Sequence, residues 1–283
     1  MKNRYTIDEP MILIDFLTKV LDKSHKKAKT LLTKGAIYVN GKNVTKYNYP
    51  LLSGYTVELK EFNKNDIDSR VDIIYEDKDI IVVNKPASML TISTDKEKEK
   101  TLYHIVSDYI KIKNKNARIF IIHRLDRETS GLIVFAKNEM IKNMYQENWS
   151  ELAVYRGYIA VVEGKPEIKS RKIINYLVEK DNMKVYSTAP NFGKKAITNY
   201  KTIKSNKKYS LLDINLETGR KNQIRVSMSD MHTPIVGDKK YGSKIDPVKR
   251  LCLHSYKLIL INPINKSKME FRTEMPDFVK KLI

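Results

Sequence analysis

Beyond about residue 70 the apolar residues come in short runs, and this constrains the fold more than any other feature of the chain. The runs are Ile80 to Val83, Ile119 to Ile122, Leu132 to Ala136, Tyr158 to Val162, Leu211 to Leu216 and Ile224 to Val226. Their length and their β-branched and aromatic content read as strands. Helical spacing is confined to about Thr101 to Lys111 and Glu139 to Leu152. Many strands with few crossover helices predict an α+β domain built on a mainly antiparallel mixed sheet, not a doubly wound parallel one.

The first 60 residues read differently. Leu13, Phe16, Leu17, Val20 and Leu21 have helical spacing within residues 12 to 21. Ser24 is a good N-cap for a second helix, His25 to Thr33, which Gly35 is placed to end. That helix sets Ala28, Leu31 and Leu32 on one side and Lys26, Lys27, Lys29 and Lys34 elsewhere. Ala36 to Val39 then reads as a strand, Asn40-Gly41 as a tight hairpin turn and Lys42 to Val44 as the return. Residues 51 to 59 supply another turn and strand. The expected division is a domain over 1 to 60, a linker over 61 to 70 where periodicity is lost, and a larger domain over 71 to 283. Residues 93 to 100, rich in Lys and Glu, read as a solvated stretch without a function.

With 53 Lys and Arg against 33 Asp and Glu, the chain carries a net +20. Such a charge favours a polyanionic partner, although a Lys- and Asn-rich composition alone also produces basic chains. The single cysteine, Cys252, excludes an internal disulfide, and no Cys/His cluster has zinc spacing. Residues 11 to 17 contain Asp15 and are too short for a signal peptide or membrane helix. A cytoplasmic, monomeric protein without a membrane partner is expected.

The run His123-Arg124-Leu125-Asp126-Arg127-Glu128-Thr129-Ser130-Gly131 lies between two apolar runs. A charged loop between two strands is held by rigid walls, where catalytic groups are often placed. An ordinary surface turn has the same composition, and spacing alone leaves both readings open. The likeness to a kinase catalytic loop is superficial: Leu125 is inserted, and neither the downstream Asn nor a metal-binding Asp-Phe-Gly is present.

The full string His123-Arg124-Leu125-Asp126, then Thr129-Ser130-Gly131-Leu132, resembles the signature of the RluA family of pseudouridine synthases. Four further segments agree in order: Val82-Val83-Asn84-Lys85-Pro86; Arg156-Gly157-Tyr158-Ile159-Ala160 with Gly164; Leu216 to Val226; and Pro234 to Asp238 with Tyr241-Gly242 and Leu253-His254. Residues 11 to 60 resemble the alpha-L RNA-binding module, shared by a small-subunit ribosomal protein and several RNA-modifying enzymes.

The resemblance implies isomerisation of uridine in RNA, which breaks a carbon–nitrogen bond and rejoins the uracil through carbon. No cofactor and no metal is implied. Asp126 would be the nucleophile, at the anomeric carbon or on the uracil ring. Arg225 is the expected guanidinium partner of Asp126, favouring its anion and fixing its orientation. The target base must leave the helix stack. Arg124 would fill the vacated space, and Tyr158 would lie against the base and receive the proton finally lost from it. Taken without the family, Tyr158 is an ordinary strand aromatic and Arg225 a structural ion pair. Lys26, Lys27 and Lys29 would hold phosphates, and large-subunit ribosomal RNA is the expected partner, transfer RNA the alternative.

Two departures stand out. The family's third motif continues Gly-Arg-Thr-His-Gln-Ile-Arg, where this chain has Gly219-Arg220-Lys221-Asn222-Gln223-Ile224-Arg225. Asn222, expected at an RNA contact, can hydrogen-bond but cannot carry charge. The first motif's Pro-x-Gly is Pro86-Ala87-Ser88, a change that bears on the loop that follows. A non-catalytic RNA-binding assembly factor predicts loss of the nucleophile, against the presence of Asp126. A glycosidase usually needs two cooperating carboxylates, and Glu128 is the one acidic neighbour in the motif.

Overall fold

A computed structural model describes residues 4–33, 35–59, 68, 70–93, 101–181 and 183–283. The chain forms two compact units, Met1–Asp68 and Ser69–Ile283. Of the expected linker over 61 to 70, Asp68 and Arg70 are described, and of the stretch 93 to 100 Ser93 is; the rest lies outside the described residues, as does Lys34.

The first unit contains β1 (Arg4–Thr6), β2 (Met11–Ile12), α1 (Leu13–Asp15), a π-helical turn (Phe16–Val20), α2 (His25–Thr33), β3 (Ile37–Val39), β4 (Lys42–Asn43), β5 (Pro50–Leu51) and β6 (Thr56–Leu59). The sheet order is β1-β6-β3-β4, and β2 pairs with β5. The single helix expected over residues 12 to 21 is divided. Ile12 is extended and pairs with Pro50. Beyond it the Thr18 hydroxyl donates to the Ile14 carbonyl at 2.8 Å, and the Leu21 amide reaches back five residues to Phe16. Both bonds widen the turn. Leu13, Phe16, Leu17, Ala28, Leu32, Ile37 and Val57 form the core of this unit. At the β3–β4 turn Asn40 and Gly41 both have positive φ, +48° and +76°, as a primed hairpin turn requires.

The second unit runs β7 (Asp72–Glu76), β8 (Ile80–Lys85), α3 (Leu102–Lys113), β9 (Phe120–Ile121), β10 (Ser130–Ala136), α4 (Glu139–Glu147), α5 (Trp149–Leu152), β11 (Tyr155–Glu163), β12 (Ser170–Glu179), β13 (Val185–Ser187), β14 (Lys194–Ser205), β15 (Tyr209–Leu216), α6 (Gln223–Asp230), β16 (Leu253–Ile261), β17 (Lys268–Arg272) and α7 (Asp277–Leu282). Nine strands follow the order β13-β12-β14-β15-β11-β16-β10-β8-β7; β17 adds to β16 and β9 to β10. Among the described residues every pairing in this sheet is antiparallel except β10 with β16. The antiparallel α+β expectation agrees with this sheet.

All seven residues of β10 are buried, as fits an interior strand between β16 and β8 covered on both faces, and this explains its unbroken apolar run. On one side Val82, Leu132, Val134, Tyr145 and Leu258 pack together; on the other half of the sheet Ile159, Val161, Leu212, Ile214 and Val236 do so. Burying each such side chain contributes roughly 1.5–3 kcal/mol against the entropy of ordering it.

The run Ile224 to Val226 is not a strand. It lies in α6, whose residues Gln223 to Met228 are all buried. Its apolar residues Ile224, Val226 and Met228 alternate with the buried polar residues Gln223, Arg225 and Ser227, a period of two that reads as a strand and hides the helix. The helical stretch Glu139 to Leu152 breaks at Asn148, where the backbone leaves helical geometry and the side chain donates to the Met144 carbonyl at 3.1 Å.

Candidate active site

The loop from His123 to Thr129 joins β9 to β10, and each part of it is tied down from beneath. His123 stacks on Trp149, with ring centroids 4.9 Å apart and planes 24° from parallel. Its Nε2 accepts from the Val134 amide at 3.2 Å, which requires an unprotonated nitrogen there. Burial pushes the His123 pKa down to about 3, consistent with that role. The Thr91 hydroxyl donates to the Leu125 carbonyl at 2.9 Å. Lys85, fully buried at the end of β8, donates to the carbonyls of Arg127 at 3.0 Å, Pro86 at 3.0 Å and Met89 at 2.8 Å. Its charge pins the Val82-to-Pro86 segment to the Asp126 loop, although burial lowers its pKa to about 7.

Gly131 closes the loop. Its φ is +116°, and a Cβ there would stand 2.2 Å from the Ser255 carbonyl oxygen. Only glycine permits both this conformation and the close approach of β10 to β16. Beside it Ser130 shares a 2.7 Å hydrogen bond with His254 Nδ1 and accepts one from Arg250 Nη2 at 2.6 Å. Ser88, which stands where the family pattern has glycine, keeps a glycine-like φ of +60°. The strain is of the order of 1–2 kcal/mol, and the Ser88 hydroxyl offsets part of it by donating to Glu128 at 3.0 Å.

Above this base lies a cavity of about 330 Å³, lined by Arg124, Asp126, Tyr158, Asn222 and Arg225 among others. The structure therefore brings all five second-unit candidates to one place. Lys26, Lys27 and Lys29 are exposed on α2 of the first unit. Asp126 is half-buried and Arg124 exposed. Burial pushes the Asp126 carboxyl above its ordinary range, against the opposing fields of Arg225, Arg124, Lys85 and Lys221. Tyr158, on β11, shares a hydrogen bond with Ser255, and burial pushes its hydroxyl up to about 12.

Arg225 does not pair directly with Asp126, contrary to the expectation from sequence. Its Nε and Nη2 donate to the two carboxylate oxygens of Asp238, each at 2.7 Å. Nη1 donates to Asn222 Oδ1 at 3.2 Å, and the Tyr241 ring covers the guanidinium face at 4.9 Å. Arg225 thus acts on Asp126 through its field, from a fixed position. Asn222 is equally committed: it sits at φ +53°, and its Nδ2 donates to the Tyr241 hydroxyl at 2.9 Å. Both ends of its amide are engaged inside the protein, where it helps to hold Arg225 at the cavity wall. Asp238, Tyr241 and Lys85 fall within the quoted landmarks, but only the folded arrangement gives them partners. Lys221 lines the same cavity and forms an ion pair with Glu179.

The family model for RNA pseudouridylate synthase (PseudoU_synth_2) matches residues 79–230. The chain is 30% identical to ribosomal large subunit pseudouridine synthase D of Buchnera aphidicola, over 95% of this chain and 93% of that protein. It is 34% identical to the protein of the same name from Borreliella burgdorferi, over 75% and 67% respectively. The solved structure of human RNA pseudouridylate synthase domain containing 4 shares the fold, with a TM-score of 0.61 and 23% identity over 73% of this chain and 89% of that one. With its motifs gathered around one cavity and these likenesses spanning both sequence and fold, the chain belongs to the RluA family of RNA pseudouridine synthases.

Proposed function

We propose that this chain isomerises specific uridines of large-subunit ribosomal RNA, with Asp126 as the nucleophile. The observation that carries the reading is the convergence of Asp126, Tyr158 and Arg225 on one cavity, with the Asp126 loop anchored from below by Lys85, Thr91 and His123. A carboxylate that is partly buried yet open to a cavity can attack a sugar or a ring carbon, and fixed cations around it favour the ionised form the attack needs. Arg225, clamped by Asp238, supplies such a charge without reorganising. Tyr158 packs against the extracted uracil and relays its last proton, and Arg124, exposed at the cavity, enters the gap the base leaves.

The choice of RNA is supported by the relatives called ribosomal large subunit pseudouridine synthase D. In this reading residues 1 to 60 are an alpha-L-type anchor, joined through 61 to 70 to the catalytic domain. Lys26, Lys27 and Lys29 hold phosphates without reading sequence, and the tether raises the local concentration of RNA at the site. The test is incubation of the protein, with no added cofactor, with transcripts of large-subunit ribosomal RNA and of transfer RNA. Pseudouridine in the ribosomal transcripts is expected. Pseudouridine in transfer RNA alone would overturn the choice of substrate, and none in either would overturn the assignment as a whole.

A further inference from the structure

Arg156 is a buried cation that no carboxylate among the described residues pairs with. It lies on β11 two residues before Tyr158, so the two side chains leave the same face of the strand. Only 8% of the residue is exposed, and its Nε has no hydrogen-bond partner. Among the described residues no carboxylate pairs with it, whereas the other buried arginine of the site, Arg225, has a two-point partner in Asp238. Its Nη1 faces the cavity wall: a Cβ added at Gly219, a lining residue, would stand 3.2 Å from it. The titratable groups that feel it are His123 and Tyr158, both neutral at neutral pH.

An unpaired buried guanidinium is costly, and replacing it with an apolar chain would ordinarily stabilise a protein. Its placement makes sense when negative charge arrives during turnover. Resting on the proposed function, that charge has a source. When the N1–C1′ bond of uridine breaks, Asp126 takes C1′ and the electron pair stays with the uracil; C5 then bonds to C1′ as the C1′–Asp126 bond breaks and the carboxylate is released. The C5 proton leaves through the Tyr158 hydroxyl, which passes a proton on to water, and N1 takes a proton from water, so the product is neutral. We propose that Arg156 is a positioning residue for this reaction, a cation held in reserve behind Tyr158 and Gly219 to stabilise the negative charge that the uracil carries once detached. A field that acts only on the charged intermediate speeds the chemical step and leaves substrate binding unchanged.

The test compares wild type, Arg156→Met and Arg156→Lys on one RNA substrate, measuring kcat, KM and thermal stability. Arg156→Met is expected to lose about tenfold or more in kcat, with KM within about twofold and Tm unchanged or higher. Arg156→Lys, which keeps the charge, should recover most of the loss. Unchanged kcat in Arg156→Met would overturn the proposal. So would a rise in KM alone with a weaker salt dependence, which would make Arg156 a phosphate contact. Failure of Arg156→Met to fold, or Arg156→Lys as slow as Arg156→Met, would also overturn it, the first by showing a structural role and the second by showing that charge is not the point. An inactive wild type would refute the proposed function itself, a separate outcome.

Discussion

Arg225 and Asp238 meet at two points, Nε to Oδ2 and Nη2 to Oδ1, each at 2.7 Å and both with side chains almost wholly out of solvent. The pair fixes a guanidinium at the cavity wall while leaving its field directed at Asp126. Asp238→Asn keeps the shape and one acceptor but leaves Arg225 buried without a countercharge. Breaking a buried pair from one side costs about 3–5 kcal/mol, and the remaining acceptor sets this variant at the lower end. Denaturant unfolding should show that loss, and kcat should fall with it. An unchanged unfolding midpoint would mean that Arg225 finds another partner.

Lys85 links pH to stability. Burial lowers its pKa from the ordinary 10.5 to about 7 in the folded state. Between those values the unfolded chain binds more protons than the native one, so this group makes stability rise with pH from about 7 toward about 10.5. Lys85→Met removes that component of the slope. It also strips the carbonyls of Pro86, Met89 and Arg127 of their donor, so the variant should melt at a lower temperature and turn over more slowly. Melting curves across pH 6.5 to 10 check both effects; an identical slope in the variant would contradict the first.

The lysines of α2 have a separate signature. Replacing Lys26, Lys27 and Lys29 together with alanine should weaken RNA binding across sequences. The slope of log affinity against log salt should flatten by roughly 2 if all three neutralise phosphates. Filter binding at several salt concentrations measures this, and a slope equal to wild type would remove these residues from the RNA interface.

What could be read from the sequence was what depends on neighbours along the chain. The Asp126 loop announced itself as charges between two apolar runs, and Asn40-Gly41 as a hairpin turn. The helix containing Arg225 did not, because its apolar residues Ile224, Val226 and Met228 alternate as a strand's do. The partner of Arg225 was misplaced for a related reason. Four carboxylates, Asp126, Glu128, Glu217 and Asp238, were available within the motifs, and only the fold brings the oxygens of Asp238 onto the guanidinium. The isolation of Arg156 is likewise a property of burial, which no spacing encodes. Ser88 shows the converse: a sequence departure from glycine left the left-handed backbone in place and gained a hydrogen bond to Glu128.

The central claim is that the chemistry runs through the carboxylate of Asp126, and Asp126→Asn tests it most directly. Burial raises this carboxyl's pKa in the folded state, so above the ordinary carboxylate range its ionised form lowers native stability. The variant should therefore melt at the same temperature or higher at neutral pH, still bind RNA, and form pseudouridine at least about a thousandfold more slowly. A folded Asp126→Asn protein that converts uridine at the wild-type rate would contradict the account.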